Sequence, residues 1–161
     1  MNNNIFEYVK VINQKSKKAF DNISRSSSKD RNLAILNTSL IIKQKKEEIL
    51  QANKIDIGNA KQKNLTDAFV DRLFLNDKRI NDIINGLKKI AEMDDPIGIE
   101  LSRWKQPNGL DISRISVPLG IIGIIYESRP NVTIDSGSLC IKSGNTVILR
   151  GGSDSINSSK I

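Results

Sequence analysis

The chain has 161 residues, one cysteine and no histidine, with 25 Lys+Arg against 18 Asp+Glu and a formal net charge of +7. Without histidine it cannot supply a Ser-His-Asp triad, a Cys-His pair or an imidazole metal ligand, and a lone cysteine forms no internal disulfide. The positive charge is interleaved with Glu, Asp and Asn, and aromatics are only 4% of residues, which fits solvated helix faces and argues against a nucleic-acid partner.

Residues 1–7 lack the charged-then-apolar order of a signal peptide. Ile5, Val9, Ile12, Phe20 and Ile23 predict a first helix over 4–24. Ser26-Ser27-Ser28 then breaks the pattern, with Ser28 the expected N-cap of a helix over 29–52 that Asn53 ends. A shorter helix over 55–63 follows. Thr66 and Asn76 are the next caps, the second ahead of the clearest amphipathic pattern: Ile80, Ile83, Ile84, Leu87, Ile90 and Ala91. Asp94-Asp95-Pro96 stops it.

Segments 97–105 and 110–117 alternate around Pro107-Asn108-Gly109 and predict a β-hairpin. It is marginal alone and is expected to pair with something else, another subunit being one candidate. A strand over 120–126, a helix over 132–143 and a strand over 146–149 form a βαβ unit, and their apolar runs suit strands buried on both faces of a parallel sheet. A further helix is expected to begin at Ser153. Two parallel strands make an incomplete sheet, so the sequence reads as the N-terminal part of a longer protein. The longest apolar run, near 121–126, is far too short to span a bilayer; the expected setting is cytoplasmic, with no membrane partner.

Ligands of parallel sheets bind beyond the carboxyl ends of the strands, and two charged turns fall there. In Arg150-Gly151-Gly152-Ser153, glycines let backbone N–H groups converge on an anion, and Arg150 and the Ser153 hydroxyl add donors. The competing reading is an ordinary strand-to-helix turn with Ser153 as N-cap. In Glu127-Ser128-Arg129-Pro130-Asn131, Pro130 biases Arg129 to an extended conformation, and Asn131 or Thr133 is a candidate cap for the next helix. This turn either binds a charged substrate or pairs Arg129 locally with Glu127 or Asp135. Cys140 lies between Leu139 and Ile141 in a predicted helix with no nearby base, and reads as core packing rather than a nucleophile. From the two turns alone, a stand-alone anion- or nucleotide-binding α/β module is also open.

The segments 118–133 and 142–153, which contain Tyr126-Glu127-Ser128-Arg129-Pro130-Asn131 and Gly144-Asn145-Thr146-Val147, resemble the γ-glutamyl phosphate reductases of the aldehyde dehydrogenase superfamily. Glu48-Ile49-Leu50-Gln51-Ala52-Asn53, Asp71-Arg72-Leu73 and Asp95-Pro96-Ile97-Gly98 agree. The resemblance implies an α/β fold, the N-terminal part of an aldehyde-dehydrogenase-like architecture. Its parts would be a helical segment of the cofactor domain over 1–96, an oligomerisation hairpin over 97–117, and the first βαβ of a Rossmann-like sheet over 118–161. It implies NADPH-dependent reduction of L-glutamate 5-phosphate to the semialdehyde in proline biosynthesis, in a homo-oligomer. Arg150, Gly151, Gly152, Ser153 and Asp154 would face NADP(H), with Asp154 where the family usually has Glu. Glu127, Ser128, Arg129 and Asn131 would face the nicotinamide end or the substrate. The family's nucleophilic cysteine lies in a later domain, so this piece is expected to be inactive. Ser136-Gly137-Ser138 replaces an alanine-rich family pattern, and Gly137 costs roughly 1 kcal/mol relative to Ala.

Overall fold

The structure is a computed structural model that describes residues 2–161. α1 (Asn2–Ile23) is the predicted first helix. α2 (Ser28–Gln44) is capped one residue earlier than expected: the Ser27 hydroxyl accepts from the Asp30 N–H (3.1 Å) and donates to the Asp30 carboxylate (2.7 Å). The single helix expected over 29–52 is two. α2 ends at Gln44, and α3 (Lys46–Gln62) carries Asn53 in its interior instead of ending there, absorbing the separate helix expected over 55–63.

The bend at Lys45 follows from what each helix packs against. α2 lies on α5 (Asp77–Glu92) and α6 (Pro130–Lys142), whereas α3 lies on α4 (Asp67–Leu73) and on the chain that follows β4 (Thr146–Arg150). Helical hydrogen bonds continue across the bend, from Lys45 N–H to Ile41 O (2.8 Å) and from Ile49 N–H to Lys45 O (3.0 Å). Thr66 and Asn76 cap α4 and α5 as the sequence predicts, through Phe69 N–H (3.4 Å) and Arg79 N–H (2.8 Å).

The amphipathic face of α5 forms the centre of the core. Ile80, Ile84 and Leu87 bury against Ile35 and Ile42 of α2, with Ile134 and Ile141 of α6 closing the other side. A polar clamp edges this core. Arg31, almost fully buried, reaches Asp95 (2.6 Å) and the Lys142 carbonyl (3.2 Å), while the Lys142 ammonium donates to Asn32 (2.7 Å) and the Ala91 carbonyl (3.1 Å). Burial alone would raise the Asp95 pKa, but the Ile97 N–H and the Arg31 guanidinium outweigh it and hold the carboxyl below the usual range.

β1 (Glu100–Lys105) and β2 (Asp111–Ile115) form the expected hairpin, antiparallel, with an irregularity at Leu101. Gly109 has φ +85°, and the Gln106–Gly109 turn closes with Gly109 N–H on Gln106 O (2.9 Å), so Pro107 and Asn108 occupy the central positions. β1 is exposed along its whole length, and β2 at all but one residue.

β3 (Ile121–Ile125) and β4 pair in parallel across α6, with Ile122 opposite Val147 and Ile124 opposite Leu149. Burial on both faces, expected of these strands, is not what the fold gives them. β3 alternates, with Ile121 and Ile125 exposed and Ile122 and Ile124 half-buried. Two strands carry the sheet, and α1 and α6 both pack on β4, so much of β3 lies uncovered. The carboxyl end of α6 is set by Gly144 (φ +68°): Asn145 N–H bonds Cys140 O (2.8 Å) and Gly144 N–H bonds Ile141 O (3.0 Å). A Cβ on Gly144 would stand 2.6 Å from Ile97 Cδ1.

Candidate functional site

The two charged turns sit side by side at the carboxyl edge of the β3–β4 pair. Tyr126 N–H continues the ladder to Arg150 O (3.1 Å), and beyond it the turns press together. A Cβ on Gly152 would lie 2.0 Å from Ser128 Oγ, and one on Gly151 would lie 3.0 Å from the Tyr126 ring. A side chain at Gly152 would thus force Ser128 to shift, and one at Gly151 would press on the Tyr126 ring, independently of any anion. The Tyr126 hydroxyl is fixed in turn by Thr133 Oγ1 (2.6 Å).

The helix expected to begin at Ser153 is absent. Ser153–Ser155 and Ser158–Lys160 are short 3₁₀ turns, Gly152 takes the cap position, and no side chain caps either one. The reason lies in α3. Asp56 accepts hydrogen bonds from Asn157 N–H (3.2 Å) and Ser158 N–H (2.8 Å), which in an α-helix would go to Ser153 O and Asp154 O. Within residues 153–161 no α-helix begins at this turn, so the donors that this segment offers an anion are its side chains.

A cleft of about 510 Å³ opens beside β4, lined by Tyr126, Thr133, Leu149, Arg150, Gly151, Gly152, Ser153, Ile156, Ser159 and Lys160. Its lining holds two cations, four hydroxyl groups and no carboxylate. Ser159 Oγ is buried and has no hydrogen-bond partner, and Arg150 folds onto the Gly151 carbonyl. Asp154 is not part of the wall. Its carboxylate is taken by Lys63 (2.6 Å) at the end of α3.

The Glu127–Asn131 turn faces elsewhere. Arg129 lines a second cleft, about 380 Å³, with Arg72, Arg79, Asn131, Asp71, Asp82 and Asp135 among its neighbours. Glu127 lies 3.4 Å from Arg129 Nε and 3.1 Å from Arg72, so the local ion pair exists and gains a second cation from α4. Arg129 Nε itself is buried without a hydrogen bond. Neither Asn131 nor Thr133 caps α6. Asn131 bonds Asp135 (3.3 Å), Thr133 bonds Tyr126, and the helix starts on Pro130 with no side-chain cap. Ser128 is buried against Gly152. The turns touch, but Arg150 and Arg129 line separate clefts.

Cys140 is buried among α6 neighbours, and burial pushes its thiol pKa up, as expected of a packing residue. Sequence reasoning missed Tyr126, Ser159 and Lys160 as parts of the first cleft, and Arg72 as a partner of Glu127. Tyr126 carried a signal, since it adjoins the charged turn. Ser159 and Lys160 carried none, because only the 3₁₀ path brings them back to β4.

A parallel βαβ unit with helices packed on it and a glycine turn at its carboxyl edge is shared with aldehyde-dehydrogenase-like folds. A probable aldehyde dehydrogenase from Listeria monocytogenes shares this fold, with a TM-score of 0.63 at 14% identity over 95% of this chain and 31% of its own. No family model matches the chain. Within that class, the chain is homologous to γ-glutamyl phosphate reductase and matches its N-terminal part. It is 49% identical over 147 residues to the reductase of Clostridium tetani, covering 91% of this chain and 34% of the relative. It is 46% identical over 157 residues to that of Halothermothrix orenii, covering 98% and 38%. The crystal structure of the Thermotoga maritima reductase superposes with a TM-score of 0.88 at 43% identity, over 91% of this chain and 36% of that one. The chain thus spans somewhat over a third of the length of the relatives it matches. No helix among the described residues is long and apolar enough to cross a membrane.

Proposed function

We propose that this chain supplies the N-terminal part of a reductase that converts L-glutamate 5-phosphate to L-glutamate 5-semialdehyde with NADPH, and that Arg150, Gly151, Gly152 and Ser153 face the cofactor. The observation that carries the reading is the first cleft. Two cations and several hydroxyls, with no carboxylate on the wall, suit the phosphate-bearing adenosine end of a dinucleotide. When bound, the cofactor supplies hydride; this chain's residues hold and orient it.

In this reading Arg129 serves the substrate side, its guanidinium oriented by the Glu127 carboxylate, which Arg72 also holds. The second cleft also carries Asp71, Asp82 and Asp135, so anion recognition there depends on Arg129 itself. Cys140 takes no part in the chemistry. We assign the hairpin to a contact between subunits, a reading supported by its solvent-open Leu101, Trp104, Leu110 and Ile115.

Arg150→Ala in the full-length protein tests the cofactor assignment. The KM for NADPH is expected to rise about tenfold or more, the size of losing one charge-assisted hydrogen bond, with NADH use little changed. An unaltered preference for NADPH over NADH overturns the role of Arg150.

A further inference from the structure

Asn53 and Asp56 of α3 face inward on one side of that helix and are almost completely buried, yet neither belongs to the apolar core. Four donors converge on Asp56. Oδ1 accepts from Asn157 N–H (3.2 Å) and Asn157 Nδ2 (2.7 Å), and Oδ2 accepts from Ser158 N–H (2.8 Å) and Ser158 Oγ (2.5 Å). Asn53 completes the set. Its Nδ2 donates to Ser158 Oγ (3.1 Å) and to Leu73 O (2.8 Å), and its Oδ1 accepts from Leu75 N–H (2.8 Å). No Lys or Arg pairs with Asp56 among the described residues.

The segment held this way forms one wall of the first cleft. Ser155 and Ser158 turn their buried sides inward, while Ser153, Ile156, Ser159 and Lys160 line the opening. The segment's own hydrogen bonds are long, 3.4 Å for both Ile156 N–H to Ser153 O and Lys160 N–H to Asn157 O. Its shape is therefore imposed from α3. A buried carboxylate without a cation is a weak way to gain stability alone, and a directional way to fix two backbone N–H groups in place.

We infer that Asn53 and Asp56 are positioning residues for the nucleotide cleft: they act through Asn157 and Ser158 to hold Ser153, Ser159 and Lys160 in place to receive the cofactor. This rests on the cofactor reading above. The test compares Asp56→Asn and the milder Ser158→Ala with Leu87→Ala, a core variant remote from the cleft, in the full-length reductase. Both cleft variants are expected to speed amide exchange over 151–160 while α5 stays protected. They should raise the NADPH KM by about tenfold, with kcat at saturating NADPH and the KM for the acyl phosphate within about twofold. Leu87→Ala should lower Tm without moving the NADPH KM. Unchanged exchange in the segment overturns the inference, as does a rise in both KM values together. Faster exchange with an unmoved NADPH KM overturns it too. In that case Arg150→Ala shows whether the cofactor reading has failed as well: it has if that variant is equally silent.

Discussion

Leu87 and Trp104 are both large apolar residues of this chain, and their surroundings could hardly differ more. Leu87 lies on α5 with Ile35, Ile80 and Ile84 around it and is 1% exposed. Trp104 lies on β1 and is 44% exposed, its neighbours along the hairpin equally open. The helical body buries its apolar surface within one chain. The hairpin is held by its own ladder, by the Arg103–Asp111 pair (2.7 Å), and at its base by Ser116, which donates to Pro96 O (2.6 Å). A two-stranded ribbon is marginal in water by itself, so this region contributes little to the stability of the body and leaves its own apolar side chains open.

Three substitutions press on that contrast. The largest effect is expected from Leu87→Ala, which should lower stability by about 2–5 kcal/mol in urea denaturation; a cost under 1 kcal/mol would mean that the body is not a well-packed core. Gly137→Ala in α6 should act in the opposite direction, raising stability by roughly 0.5–1 kcal/mol, because a Cβ there meets only Leu149 Cδ1 at 4.0 Å, an ordinary contact. A lowered Tm would show α6 and β4 to be closer than that spacing implies. The smallest stability effect belongs to Leu101→Ser at the irregular point of β1, within about 0.5 kcal/mol, together with weaker self-association in sedimentation. If this variant unfolds like Leu87→Ala, the hairpin is part of the core after all.

Much of the fold is legible wherever local chemistry decides. Thr66 and Asn76 act as caps because a side-chain oxygen within three residues of an unpaired N–H needs no distant partner. The α5 stripe and the Pro107-Asn108-Gly109 turn are local in the same sense. The break at Lys45 is not, since α2 and α3 part there to follow different neighbours. Asn53, a helix end by the sequence, lies inside α3. Its partners, Leu73 O and Ser158 Oγ, lie 20 and 105 residues away.

The candidate site divides along the same line. Sequence alone located both charged turns, put them at the ends of paired parallel strands, and identified Cys140 as packing, because apolar runs and the residues that end them are read directly from chain order. Tertiary structure alone decided that Arg150 and Arg129 line different clefts, that Gly152 packs against Ser128, and that Asp56 replaces a helix after Ser153 with two tight turns. A side chain's direction and the acceptor for a given N–H depend on which distant elements pack together, and local sequence does not encode that choice.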